Sequence, residues 1–379
     1  MTDEESDDAK LFIATTRAFL DKHASLADVR ALHAQDRSFD PTWWQHAAQL
    51  GWTSLLVTEQ YGGGSVSGQP LRDVAAISEQ LGRTVAPGPL HPVSTVLTAL
   101  VNADNHVEHA DTIAALVSGG LVAAWAVDEP GRPFGPHNPA LTATRTGAGY
   151  RLSGSKDRVE AGPQADLFLV TARTDRGPRQ FLVPADAAGV ALRRQRCVDL
   201  VKHYARIDFD DVDVAESAVV GSGDQTPALI DQQSHTAMVL QCAEAVGILD
   251  AVLIMTTAWA RDRHSFGRPL ASYQALKHRF ADMTMWLHAC RAITAAAVTA
   301  VGAQHPDAAL TVRAAKSYLG EHAGPLIHDC VQLHGGIGVT WEHDLHVYLR
   351  RITLYRSMFG TPIEHHRAIY QSTRAVVSA

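Results

Sequence analysis

Three side chains able to hold a large, charged, aromatic ligand fall within one short stretch, WARDRHSFGRPLASYQALKHRFADM, from Trp259 to Met283. The Arg263 guanidinium can clamp a pyrophosphate through charge-assisted hydrogen bonds. The Phe266 phenyl can lie against a ring, and the Gln274 carboxamide can hydrogen-bond a polar rim. The same pattern suits an ordinary helical hairpin with a solvated Arg and a core Phe, and the segment alone leaves the two readings level. In either case a helix must deliver Arg263 and break at Gly267 and Pro269. A second helix must then carry Gln274, His278 and Asp282.

The rest of the chain supplies those helices. Its 379 residues allow two or three structural units and a sizeable core. A net charge of −7 without a basic run argues against a nucleic-acid partner. The start, MTDEESDDAK, reads as neither signal nor transit peptide. No apolar run is expected to reach membrane-span length. Cys197, Cys242, Cys290 and Cys330 are widely spaced, which indicates neither a metal site nor a disulfide frame. A reducing cytoplasm is the expected location.

Residues 1–118 read as an N-terminal helical domain. LFIATTRAFLDKHA has helical spacing, Asp40-Pro41 starts PTWWQHAAQLG, and QPLRDVAAISEQLGR ends near Gly82. The glycines at 62–64 lack a following GK[ST] and read as a turn. From 119 to 222 the chain breaks into short runs rich in Val, Thr, Phe and Leu, with a hairpin at Gly147 and Gly149. This predicts an antiparallel β-domain. From 223 to 379 long alanine-rich helices predict a C-terminal four-helix bundle. The fold class is therefore α+β and multidomain.

In that order, WWQHAAQLGWTSLLVTEQYGGG, AWAVDEPG, GYRLSGSKDRVEAGPQADLFLV, RHSFGRPLASYQALKHRFADM and QLHGGIGVTWEHDLHVYLRR resemble the acyl-CoA dehydrogenase family over nearly the whole chain. The resemblance implies an FAD-dependent α,β-desaturation of an acyl-CoA thioester. A carboxylate takes the α-proton in a dry pocket, and electrons pass on to an electron-transfer flavoprotein or another acceptor. It further implies FAD shared across a subunit interface, with Arg263, Phe266, Gln274, Gln332, Gly335 and Gly336 of one subunit serving the adenosine half. Thr361 is the matching threonine on the flavin side.

The departures cluster elsewhere. Where the family has its catalytic Glu before Gly-Thr, this chain has Phe359, which cannot accept a proton. The alternative base position, counted back from Gly247, is Ala237. Glu244 lies seven residues, roughly 10 Å of helix, beyond Ala237. Glu364 lies five residues past Phe359. Both are weak candidates for a relocated base, as is His235, and a Glu at a helix-packing position is more often structural. The family's small-residue flavin loop reads DEPGRPFGPHN here, so Asp128, Arg132, Pro133 and Phe134 replace small or hydroxylic residues. Arg158, Val159 and Glu160 align with its ring-contacting Trp-Ile-Thr, and Ile363 stands where a Gln is expected. Carboxylates near a diphosphate repel it by about 1 kcal/mol at 4 Å even in water.

One half of an FAD site is thus kept and the other lost. That pattern suggests a non-catalytic subunit in an α2β2 complex with a homologous catalytic partner that binds the acyl-CoA, as in bacterial dehydrogenases of steroid side-chain CoA esters. Trp286, His288 and Arg291 are expected at the inter-subunit surface, although core packing explains Trp286 equally well. Two other readings stay open: a self-sufficient homo-oligomeric flavoenzyme with a relocated base, and a flavin-free scaffold or CoA-thioester binder.

Overall fold

The computed structural model describes residues 7–377; Met1–Ser6 of the acidic start lie outside the described residues. Six helices come first: α1 (Asp7–His23), α2 (Leu26–Ala34), α3 (Pro41–Gln49), α4 (Pro70–Thr84), α5 (Leu90–Asn102) and α6 (Ala110–Val117). Local chemistry sets their starts. The Asp40 carboxylate accepts from the N–H groups of Thr42 and Trp43, and Pro41 occupies the first helical position. Ser25 and Asp28 form a reciprocal capping box on α2.

An eight-stranded sheet follows: β1 (Ala123–Ala126), β2 (Thr142–Arg145), β3 (Gly149–Glu160), β4 (Leu167–Thr174), β5 (Gly177–Pro184), β6 (Val190–Gln195), β7 (Tyr204–Ala215) and β8 (Val219–Val220). Its path is β6-β7-β3-β2-β4-β5-β8, with β1 on β4. Most pairings are antiparallel, but β1 runs parallel to β4, and Thr142 of β2 faces Arg173 in the same sense. The sheet is therefore mixed. Ala123–Ala126 is buried throughout, and such a strand has no alternating pattern from which direction can be read.

The last third contains α7 (Thr226–Asp262), α8 (Gln274–Gly302), α9 (Ala308–His334), α10 (Leu345–Tyr355) and α11 (Pro362–Val377). Contrary to the expectation that no run reaches span length, α7 is long and apolar enough to cross a membrane by composition. Its most apolar window is 72% buried inside the fold, as in a core helix. Glycines let α7 lie directly on α4. A Cβ on Gly82 would fall 2.0 Å from the Glu244 carbonyl oxygen, and one on Gly247 1.9 Å from that of Glu79. One core runs through both helical regions and a second, with Leu152, Phe168, Phe181 and Phe209, fills the sheet. The three parts meet around Glu244 and Phe359.

Candidate functional site: an open edge and a closed junction

At the open edge, α7 ends on Arg263, whose guanidinium lies 5.8 Å from the Trp259 ring centroid. Trp259 Nε1 donates to the Leu333 carbonyl at 3.2 Å, and its ring stacks on His334 at 5.2 Å. The end of α7 is thereby fastened to the end of α9, where Gln332, Gly335 and Gly336 are all exposed. Gly335 has φ +67°, and a Cβ on either glycine would meet nothing within 4 Å. The backbone there is open to close approach by a ligand.

Phe266 stands at the tip of a two-residue hairpin pairing His264–Ser265 with Arg268–Pro269. The Tyr273 hydroxyl donates to the Ser265 carbonyl at 2.6 Å, and the Arg268 guanidinium sits 3.9 Å over the Tyr273 ring. Phe266 itself is 97% exposed on a left-handed backbone, φ +49°. This removes the reading in which Phe266 is a core residue. Leaving such a ring in water forgoes about 1.5–3 kcal/mol of burial. Gln274 opens α8, its amide nitrogen 3.1 Å from His278 Nε2. The edge therefore presents a guanidinium, a phenyl face, an amide and a bare glycine backbone.

Thr361 lies elsewhere. Its N–H and hydroxyl donate to Glu364 Oε2 at 2.7 and 2.8 Å, and the Glu364 N–H returns to the Thr361 hydroxyl at 3.4 Å. This is a capping box at the start of α11. The Thr361 hydroxyl is thus engaged within the chain, and Glu364 caps a helix. Hydrogen bonds from Thr361 also hold the Glu364 carboxyl below its usual range, which weakens it as a base.

At the closed junction, Phe359 and Ala237 line one cavity with His91, Asp128, Arg158 and Glu160. Phe359, at φ +55°, lies edge-on to Phe134 with centroids 5.5 Å apart and nearly parallel to Trp125 at 6.4 Å. The space left is about 30 Å³. That is room for about one water, whereas small-molecule sites run to roughly 300–1,000 Å³. A flavin ring does not fit. The charges are not the main obstacle, because Asp128 faces Arg158 at 3.4 Å and Glu160 faces Lys202 at 2.6 Å. Aromatic filling is. Val159 turns the other way, into the sheet core, as strand alternation requires.

Glu244 is buried among partners from all three parts. Arg351 Nη1 and the Tyr355 hydroxyl donate to its two oxygens, with His91 Nε2 at 3.4 Å and Lys202 Nζ at 3.9 Å. Arg351 also pairs with Asp199, whose carboxylate accepts the N–H groups of Val201 and Lys202 at 2.9 and 2.8 Å. Burial would raise the Glu244 carboxyl, but Lys202 and Arg351 outweigh it and hold it below its usual range. Glu244 is thus a structural anion, which corrects its candidacy as a base. His235 is half-buried, pushed down by burial and by Arg313 despite Asp231. Of the expected interface residues, His288 is exposed. Arg291 instead pairs with Asp250 and Glu79 at 3.1 and 3.5 Å, and Trp286 packs on the core.

Sequence reasoning missed Arg351, Asp199, Lys202 and His91. One signal was available: Arg351 follows Val347 by four and Tyr348 by three and precedes Tyr355 by four, so it lies on the apolar face of α10.

These groups make the fold sensitive to acid. Burial pushes His91, His203 and His365 down to about 4. Unfolded histidines titrate near 6.5, so between about pH 6.5 and 4 the unfolded chain binds more protons and stability falls as pH drops. Each histidine contributes at most about 3 kcal/mol. Asp199 and Glu244, with folded values below their unfolded ones, add stability present above the unfolded pKa and lost as pH falls through the folded one. Urea denaturation from pH 7.5 to 4.5 should therefore show declining stability, with His91→Phe reducing the slope by up to one proton. A flat profile would contradict the assignment.

N-terminal helices, a mixed sheet and a C-terminal helical bundle in this order make the acyl-CoA dehydrogenase fold. The N-terminal domain of that family matches residues 6–118 and its C-terminal domain residues 233–372. FadE27 of Mycobacterium tuberculosis, an acyl-CoA dehydrogenase, is 30% identical over 332 residues, 84% of each chain. The chain belongs to the acyl-CoA dehydrogenase family, a family of FAD-binding oxidoreductases. IpdE2 of M. tuberculosis is 29% identical over 351 residues, 92% of each chain. Among solved structures, the Tcur3481-Tcur3483 steroid ACAD has a TM-score of 0.89 at 26% identity, covering 98% of this chain and 99% of that one. The ChsE4-ChsE5 complex of M. tuberculosis has a TM-score of 0.88 at 26% identity, covering 99% of each.

Proposed function

We propose that this chain is the non-catalytic subunit of a heteromeric acyl-CoA dehydrogenase and completes the FAD site of a catalytic partner. The observation that carries this reading is the contrast between the two halves. Arg263, Phe266, Gln274, Gln332, Gly335 and Gly336 are exposed along one edge, while the chain's own ring junction retains about 30 Å³. A second copy cannot be the beneficiary, because its junction is filled by the same Phe359, Phe134 and Trp125. The partner therefore has to be a different chain with an intact pocket.

In this role Arg263 neutralises the diphosphate, Phe266 covers a ring and is itself covered, and the Gly335–Gly336 backbone lets the adenosine half approach. When bound, FAD accepts the hydride from the acyl β-carbon on the partner. The similarity to a steroid ACAD supports a steroid side-chain CoA ester as the acyl class, with an electron-transfer flavoprotein or another carrier as acceptor. The setting proposed is the cytoplasm.

Purifying the chain alone and with a homologous dehydrogenase that retains its Glu tests the proposal through the visible spectrum. The chain alone should be colourless, and flavin should appear only in the complex. A yellow homo-oligomer with one FAD per chain would overturn it. As a converse test, Phe359→Glu should leave desaturation by the isolated chain undetectable with any acyl-CoA. The new carboxylate would face Glu160 and Asp128 without a flavin pocket beside it.

A further inference from the structure

A small cavity between α7, α9 and α10 takes no part in either half of the flavin site. Ala245, Leu319, Ala323 and Ile352, all buried, give it apolar walls. The nitrogen-bearing side chains that line it are Lys316 of α9, Gln241 of α7 and Arg356, just past the end of α10. Lys316 and Gln241 are 5% and 1% exposed, whereas Arg356 is exposed and stands at the mouth.

The hydrogen bonds here leave donors over. Lys316 Nζ donates to Gln241 Oε1 at 2.8 Å and to the Tyr355 carbonyl at 2.6 Å, which uses two of its three protons. An ammonium only donates, so this contact fixes the Gln241 amide with its oxygen towards Lys316. Gln241 Nε2 is then buried without an acceptor. Arg356 donates through Nε to the Gly320 carbonyl at 3.0 Å, which leaves its other nitrogens unpaired. The charges are equally one-sided. No carboxylate lines the cavity, and among the described residues none forms an ion pair with Lys316. Burial lowers Lys316 to about 8, so it is mostly protonated at pH 7. The Cys242 thiol, pushed up to about 11 by burial, is neutral there. Buried charges are normally paired, because an isolated ammonium in an apolar setting is costly. Water would satisfy the donors but not the charge. The space, about 20 Å³, admits one particle close to a water in size, which excludes sulfate, phosphate and carboxylates.

We propose that this cavity binds one small monatomic anion, chloride or bromide, held by Lys316 and the Gln241 amide and drawn in past Arg356. Such an ion would brace α7, α9 and α10 behind Tyr355, whose hydroxyl holds Glu244 at the junction. Binding requires neither flavin nor partner, so its failure would leave the subunit assignment untouched. Urea denaturation of the full chain at constant ionic strength, with chloride replacing gluconate, tests it. The folding equilibrium constant should rise up to tenfold for each tenfold increase in chloride above its dissociation constant, the signature of one ion bound to the native state. Bromide should substitute for chloride and should relieve, by competition, the broadening of the chloride NMR line. Lys316→Met should abolish the response. If that variant does not fold, Arg356→Glu carries the same test from the exposed mouth. It should weaken chloride about fivefold or more through charge reversal, with the fold intact by circular dichroism. A folding constant indifferent to chloride would make the occupant water and overturn the proposal. A response undiminished by these substitutions would overturn it as well.

Discussion

Replacing Arg351 by Met should destabilise the fold by about 3–5 kcal/mol, the cost of leaving buried charges without their counter-charge. Arg351 is fully buried, and its guanidinium joins Asp199 of the sheet region to Glu244 of α7. Tyr348, one turn earlier on α10, donates its hydroxyl to the Arg83 carbonyl at the end of α4. The same small volume therefore ties three parts of the chain together. Methionine matches the length of the arginine stem and keeps much of its packing, so the loss reports mainly on charge. Asp199 then loses its guanidinium partner and Glu244 keeps Lys202 at 3.9 Å, so the native state must protonate a carboxylate or open the junction. Urea denaturation at pH 7.5 measures the effect. Lowering the pH towards 5 should shrink the gap between variant and parent, because protonation relieves the variant first. Adding Asp199→Asn and Glu244→Gln should recover part of the loss. A loss below about 1 kcal/mol at pH 7.5 would mean that water reaches the cluster and the charges are not truly buried.

The junction also shows where the sequence stops being readable. Phe359 and Ala237, neither of which can take a proton, are legible at the two positions where the family resemblance expects a base. How the vacated space is filled is not legible. That depends on Phe134, some 225 residues earlier, meeting Phe359 edge-on, a contact no local pattern encodes. Glu244 illustrates the same limit. Its helical position invites comparison with Ala237, but only the fold shows that Arg351, Lys202 and Tyr355 surround it. Thr361 and Glu364 show a different limit. Their spacing is that of a capping box before a helix starting with Pro362, and that signal was overshadowed by resemblance to a cofactor contact. Helix spans are read well from periodicity and caps, as with α3 and α4. The direction of β1 is not, because a strand buried on both faces carries no alternation.

Arg263→Ala should reduce FAD affinity in the assembled complex by about 10- to 150-fold, matching the loss of a charge-assisted hydrogen bond worth about 1.5–3 kcal/mol. The chain's own stability should change little. Arg263 is exposed, and its contact within the chain is the face of Trp259, which remains fastened through Leu333 and His334 in the variant. Arg263→Lys should fall between the two, since an ammonium retains charge but loses the planar fork that grips a diphosphate. Phe266→Ala provides an independent arm. Its ring is almost wholly exposed in the isolated chain, so its removal should leave the melting temperature unchanged and still lower flavin retention in the complex. Fluorescence titration of apo-complex with FAD measures both constants, and size-exclusion chromatography verifies that the complex survives. If the complex assembles and both variants hold FAD as tightly as the parent, this edge does not touch the cofactor. The heteromer would then use the chain as a scaffold only. If affinity falls with Arg263→Ala while free-chain stability is constant, the exposed guanidinium acts across the interface, on a flavin this chain has no room to hold.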